Sequence, residues 1–275
     1  NGTAALQISL KLVGVGIDEE VIVPSMTFIA PVNAISYNNA KPIFMDNDKY
    51  YTIDINKTLD FLNKETRTIQ RKKSLITINK KTGKRIAALI VVHLFGNAAK
   101  LDELNNLCKK KNIPLIEDAA ESIGTFYGSG RFKNKHTGTV GQIGCLSFNG
   151  NKIITSGGGG MILTNNLKIA NRAKYLTTQA KDDSINYIHN DIGYNFRLSN
   201  IQAALGLAQL ENLSKNIRKK KIIHSIYKSK IDKKRGLEIS SVSHPNKCNY
   251  WLNILEIRKR LSKKEFSKII QQLGK

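Results

Sequence analysis

The sequence has no apolar run near the ~18 residues needed to cross a bilayer. Its first residues, Asn1-Gly2-Thr3-Ala4-Ala5-Leu6, carry neither the basic start nor the apolar core of a signal peptide. No Met opens it, so the expectation is a chain that begins within a longer protein. Cysteines are few: Cys108, Cys145 and Cys248 show no Cys-x-x-Cys pairing and no metal-ligand spacing, which points to a reduced, cytoplasmic compartment. Acidic residues are also scarce, 21 against 44 Lys and Arg, giving a formal charge of +23. Strongly basic chains often bind nucleic acid. Here, however, the charge is mostly lysine in short runs such as Lys109-Lys110-Lys111 and Arg218-Lys219-Lys220-Lys221. These runs alternate with apolar positions in helix-like segments and lack the aromatic interleaving of a base-stacking surface. The expectation is a solvated basic surface, with neither nucleic acid nor membrane as partner.

What is present describes a globular α/β protein. With 275 residues and 41% hydrophobic residues, one or two domains with a sizeable core are expected. Residues 4–13 and 28–37 read as helices, and Val21–Val23 and Pro42–Met45 as strands. The stretch 47–84 is polar and Lys-rich, with a helix suggested only at Leu59–Leu62 and a surface excursion at 70–84. Ala87–Val92 is a continuous apolar run, as expected of a strand covered on both faces. A helix at 101–111 and a strand at Ile113–Ile116 follow, making a βαβ unit and implying a parallel sheet. Two more strands are expected near 144–148 and 160–164, one or two long helices over 199–227, a strand over 248–257 and a last helix over 262–273.

In open α/β sheets, ligands gather at the carboxyl ends of the strands, and four segments stand at such places or at helix starts. Gly2-Thr3-Ala4-Ala5 would open a helix whose N–H groups and dipole suit a phosphate; a plain Thr cap explains it equally well. Asp118, directly after a strand, would point into the crevice or cap the next element. Ser147-Phe148-Asn149-Gly150-Asn151-Lys152, followed by Gly157-Gly158-Gly159-Gly160, is the most telling. A desolvated lysine can lose its proton and form a Schiff base, and glycines permit close backbone approach. A nucleotide-binding P-loop has the reverse order, glycines first and then lysine. Asn195 and Arg197, set among aromatics before a helix, read either as site residues or as a turn with Ser199 or Asn200 as N-cap.

In this order and spacing, the segments GTAAL, PSMTFIAPVNAI, KPIFMD, VVHLFGN, IEDAAES, GCLSFNGNKIITSGGGGM and IGYNFRLSNIQAALGLAQLE resemble the DegT/DnrJ/EryC1/StrS aminotransferases, over residues 1–215 above all. The resemblance implies PLP-dependent transferase fold type I. That fold has a mostly parallel central sheet with helices on both faces, in a large PLP-binding domain at 1–215. A linker helix and a partial smaller C-terminal α/β domain would occupy 216–275, with the chain truncated at both ends. It implies that Lys152 holds pyridoxal 5'-phosphate and shuttles protons, and that Asp118 faces the pyridine nitrogen and keeps it protonated. Gly2, Thr3 and Ser147 would hold the phosphate and Phe28 would stack on the ring. Glu121 stands where relatives often place Gln or His near the ring hydroxyl. Asn195 would reach the phosphate from the partner subunit of a homodimer. The implied reaction moves an amino group from glutamate to the C4 ketone of a nucleotide-linked 4-keto-6-deoxy sugar, in glycan biosynthesis. The four-glycine form, with Gly158 where many members have Glu, and Asn249-Tyr250-Trp251-Leu252-Asn253 look most like the legionaminic-acid and perosamine branch. Lys152 argues against the dehydrases of the family, which usually have His there. A regulatory or sugar-binding member without activity is the alternative.

Overall fold

The computed structural model describes residues 1–71, 74–183, 185–231, 236–244, 247–258 and 261–273. Its centre is a six-stranded sheet of β1 (Glu20–Pro24), β2 (Lys41–Met45), β5 (Ile86–Val92), β6 (Leu115–Asp118), β7 (Ile143–Ser147) and β8 (Gly160–Leu163). The order is β2-β1-β5-β6-β7-β8. Every pairing is parallel except β7 with β8, which is antiparallel. β5 lies inside the sheet and all seven of its residues are buried, which is why Ile-Ala-Ala-Leu-Ile-Val-Val needs no polar alternation.

The period of two along the strands divides the core between the faces. Val21, Val23, Ala88 and Ile90 meet Leu6 and Leu10 of α1 (Gly2–Leu12) and Ala34 and Ile35 of α2 (Ile29–Tyr37). Ile22, Leu89 and Val91 pack instead with Leu62 of α3 (Ile55–Lys64) and Leu104 and Cys108 of α4 (Asp102–Lys110). Helices thus cover both faces, the architecture of fold-type I enzymes, as the resemblance implies.

The structure adds to or corrects the expectations in three places. The polar stretch 47–84 is largely ordered: α3 is followed by an antiparallel pair, β3 (Thr66–Arg71) and β4 (Ser74–Asn79). What stabilises the pair is β-branched alternation and polar anchoring. Thr77 donates to the Lys111 carbonyl at 2.6 Å, and the Asn79 side chain donates to Glu20 Oε2 at 2.8 Å. Residues 72 and 73 of the expected excursion lie outside the described residues. A helix not foreseen, α5 (Leu167–Thr177), follows β8 and is capped by the Asn166 side chain. Finally, only the end of 248–257 is a strand. β10 (Leu255–Ile257) pairs antiparallel with β9 (Leu237–Ile239). Cys248–Trp251 instead turns irregularly, with Tyr250 at φ +53°, because its polar groups bind loops of the sheet rather than a neighbouring strand.

α6 (Asn200–Glu211) and α7 (Leu213–Lys230) follow, with Leu213 and Ile217 of α7 packed against Ala119, Ile123, Leu146 and Trp251, and α8 (Lys263–Leu273) ends the described chain. Among the described residues no helix is long and apolar enough to cross a membrane.

Candidate active site

At the carboxyl ends of the parallel strands lies a cavity of about 230 Å³. Gly2, Thr3, Phe28, Asp118, Glu121, Ser147 and Lys152 all line it, although they are spread over 150 positions of sequence. β6 ends on Asp118, β7 ends on Ser147, and α1 begins beside them.

The anionic end of a ligand would meet the start of α1. The Asn1 side chain caps the helix by accepting from the Ala4 amide at 2.9 Å, and the Ala5 amide donates to the Asn1 carbonyl at 3.1 Å. The cap is therefore Asn1, not Thr3. The amides of Gly2 and Thr3 precede the helix's own hydrogen bonds at its positive end. Gly2 has a steric reason: a Cβ there would stand 3.0 Å from the Ser147 Cβ. The glycine run has another. A Cβ at Gly160 would lie 2.6 Å from the Asn1 carbonyl carbon, and Gly159, at φ +101°, would strike Leu198. Glycine therefore lets β8 pass directly beneath the start of α1.

Asp118 is 5% exposed. Its Oδ1 accepts from the Ala120 amide at 3.0 Å and its carbonyl from the His93 amide at 3.0 Å. No helix follows it, so its capping role reduces to this one turn amide. Burial raises its carboxyl above the usual range, opposed by the Ala120 amide, Lys152 and His93. Glu121 is likewise raised by burial, opposed chiefly by the Phe95 amide, which donates to Oε2 at 2.8 Å, and by Lys152. The Lys152 Nζ is 3.6 Å from Glu121 Oε1, and its side chain is 10% exposed.

Beneath this layer Glu117 braces the floor. Its Oε1 accepts from the Val140 amide at 2.6 Å and from the Gly141 amide, and its Oε2 from Gly138 N, Tyr127 OH and His93 Nε2 at 2.8–2.9 Å. His93 Nδ1 accepts from the Ala99 amide, so the ring proton sits on Nε2. Burial alone would raise the Glu117 carboxyl; His93 and the loop amides outweigh it and hold it at about 2.

The site fits pyridoxal phosphate by its own geometry. It offers amides and hydroxyls at a helix start, the aromatic ring of Phe28, the buried carboxylate of Asp118 and a lysine amine, all lining one cavity. Asn195 is the exception. It is exposed, bridges to Thr178 and does not line the cavity of its own chain. Ser199 forms a capping box with Gln202 at the start of α6. The sequence reading missed Asn149 and Asn151, which also line the cavity, and the role of Trp251, whose ring centroid lies 4.3 Å from the Lys152 ammonium. That Trp251 is the only tryptophan in the sequence was the available signal.

With this fold and this cavity, the chain is placed by its family: it belongs to the DegT/DnrJ/EryC1/StrS aminotransferase family, which it matches over residues 1–275. Among its relatives is a protein described as a putative pyridoxal phosphate-dependent aminotransferase, EpsN, of Bacillus subtilis (strain 168). It is 37% identical over 274 residues, covering 100% of this chain and 65% of the relative. The GDP-perosamine synthase of Escherichia coli O157:H7 is 39% identical over 232 residues, 84% of this chain and 57% of that enzyme. A solved DegT/DnrJ/EryC1/StrS aminotransferase from Brucella abortus superposes with a TM-score of 0.82 at 26% identity, covering all of this chain and 68% of that one. The chain thus spans between 57% and 65% of the length of these two curated relatives.

Proposed function

We infer that the protein is a pyridoxal phosphate-dependent transaminase. It would take an amino group from glutamate and deliver it to a nucleotide-linked 4-keto-6-deoxy sugar for surface-glycan synthesis. The observation that carries this reading is the position of the Lys152 amine, inside the cavity that also holds Asp118, Phe28, Ser147 and the start of α1. The relatives named as GDP-perosamine synthases support the sugar class.

The cofactor, when bound, would supply an electron sink for the carbon that loses its proton. The chain's own residues do the rest. Gly2, Thr3 and Ser147 hold the phosphate, and the Phe28 ring fixes the plane of the heterocycle. Asp118 keeps a proton on the ring nitrogen, because a carboxylate held out of water favours a paired cation opposite it. Lys152 would anchor the cofactor, and its amine would hold and deliver the proton that both halves of the exchange require. Glu121, 3.6 Å away, orients that amine.

The assembly in this reading is a homodimer, with Asn195 reaching the phosphate of the other subunit. The exposed Ile201, Leu205, Leu207 and Leu210 of α6 support a covered face there. Residues 1–215 would form the cofactor-binding domain and 216–275 the linker helix and beginning of a smaller one. Three unpaired cysteines are in keeping with a cytoplasmic setting.

The test is turnover by the full chain with glutamate and GDP- or UDP-linked 4-keto-6-deoxy sugars. Formation of 2-oxoglutarate and the amino sugar is expected. No turnover with any keto-sugar, or turnover retained after Lys152→Ala, would overturn the reading.

A further inference from the structure

The wall behind Lys152 comes from the far end of the chain. Its ammonium lies over the Trp251 indole at 4.3 Å from the ring centroid, against 5.9 Å for Phe28. Trp251 is 6% exposed and is held from three directions. Its Nε1–H donates to the Asn151 carbonyl at 2.8 Å, its backbone N–H donates to Asn249 Oδ1 at 2.9 Å, and its carbonyl accepts from Lys220 Nζ at 3.2 Å. Asn249, fully buried, ties this segment to the turn that carries Glu121. Its Nδ2 donates to the carbonyls of Glu121 and Ile123 at 2.9 and 3.0 Å, and its N–H donates to Thr125 Oγ1 at 3.0 Å. Gly96, at φ +89°, leaves the room: a Cβ there would lie 2.0 Å from Asn249 Oδ1. One network of hydrogen bonds therefore fixes the indole both to the peptide next to Lys152 and to the turn bearing its ion-pair partner.

A tryptophan that merely filled the core would need no cation on its face. Cation–π attraction is strongest for indole and grows when the pair is shielded from water, as here. We propose that Trp251 is a positioning residue for Lys152: its indole face holds the free ε-ammonium inside the cavity, opposite Glu121. This rests on the reading of Lys152 as the cofactor's anchor. The charged groups facing the amine are Glu121, on the turn after β6, and Asp118, at the end of β6. Both favour the ammonium, as the ring does. Lys220 of α7 stands at the Trp251 peptide and opposes it.

Two measurements on the full chain test this. The first needs no cofactor: the emission of Trp251, taken as the difference between the protein and its Trp251→Phe variant, is followed against pH. It should titrate in the wild type and lose that titration in Lys152→Met. The second follows borohydride-fixed capture of pyridoxal phosphate on Lys152 against pH. The midpoint should move to lower pH by about half to one pH unit in Trp251→Leu, and by less in Trp251→Phe. An emission titration unchanged by Lys152→Met, or variants that capture less cofactor at an unmoved midpoint, would reduce Trp251 to a packing residue and overturn the proposal. Absence of label on wild-type Lys152 would refute the transaminase reading instead, and the emission experiment would then decide the Trp251 contact alone.

Discussion

α1 and α6 are written in similar letters, Gly-Thr-Ala-Ala-Leu-Gln-Ile and Asn-Ile-Gln-Ala-Ala-Leu-Gly-Leu, yet they end in opposite environments. α1 buries six of its eleven residues against the sheet and its helices, and its first turn is part of the cavity. α6 buries none, and Ile201 is 84% exposed. Helix propensity and a capping box make α6 a helix, but a helix this short is marginal without a surface to cover it. Apolar letters thus say that a face will be buried, not by what. In α1 the partner is the same chain; in α6 it lies elsewhere, for which we propose a second copy.

The sharpest way to separate the chemical part of the molecule from its scaffold is Lys152→Ala. Turnover should fall by about a thousandfold or more, with a melting temperature close to the wild type, because the side chain lines a cavity instead of filling the core. Next in size is Glu117→Gln. The carboxylate accepts from five donors, and an amide would turn its own donors against some of them. The expected loss is about 3–5 kcal/mol in a urea titration. Because Glu117 is held at about 2, below the 4.5 of an ordinary glutamate, its contribution is fully present above pH 4.5. It is lost as the pH falls toward 2, and on the order of 3 kcal/mol of acid sensitivity should be missing from the variant.

The comparison of the two helices itself breaks or holds on a pair of alanines. Leu10→Ala, in a fully buried position of α1, should cost about 2–5 kcal/mol. Leu205→Ala in α6 should cost about 0.5 kcal/mol or less if the chain is measured as a monomer. A larger, concentration-dependent loss at Leu205 is expected where a second copy covers α6, and sedimentation of the same variant would show it. Gly2→Ala should cost about 1–3 kcal/mol, since its Cβ would stand 3.0 Å from the Ser147 Cβ, and it should weaken phosphate binding at the start of α1.

The sequence made the central sheet and most of the site readable for a physical reason. β5 is buried on both faces and so is written in unbroken apolar letters. Asp118 and Ser147 end strands and Lys152 follows one, where an open α/β sheet presents its ligands. The hairpin β3/β4 was hidden because it is held by threonines and side-chain bonds to Glu20 and Lys111, not by an apolar face. The Cys248–Trp251 segment misled for the opposite reason: its aromatic letters look like a strand, but its polar groups bind the turn after β6, the Asn151 carbonyl and Lys220 of α7 instead of a neighbouring strand. That closure joins residues more than a hundred positions apart, and no local pattern encodes it.

The most direct test of the account is to add pyridoxal phosphate to the full chain, reduce with borohydride and map the labelled peptide. A single label on Lys152, absent after Lys152→Ala, is the expected result. A label spread over surface lysines, or none, would contradict the assignment of this cavity to the cofactor.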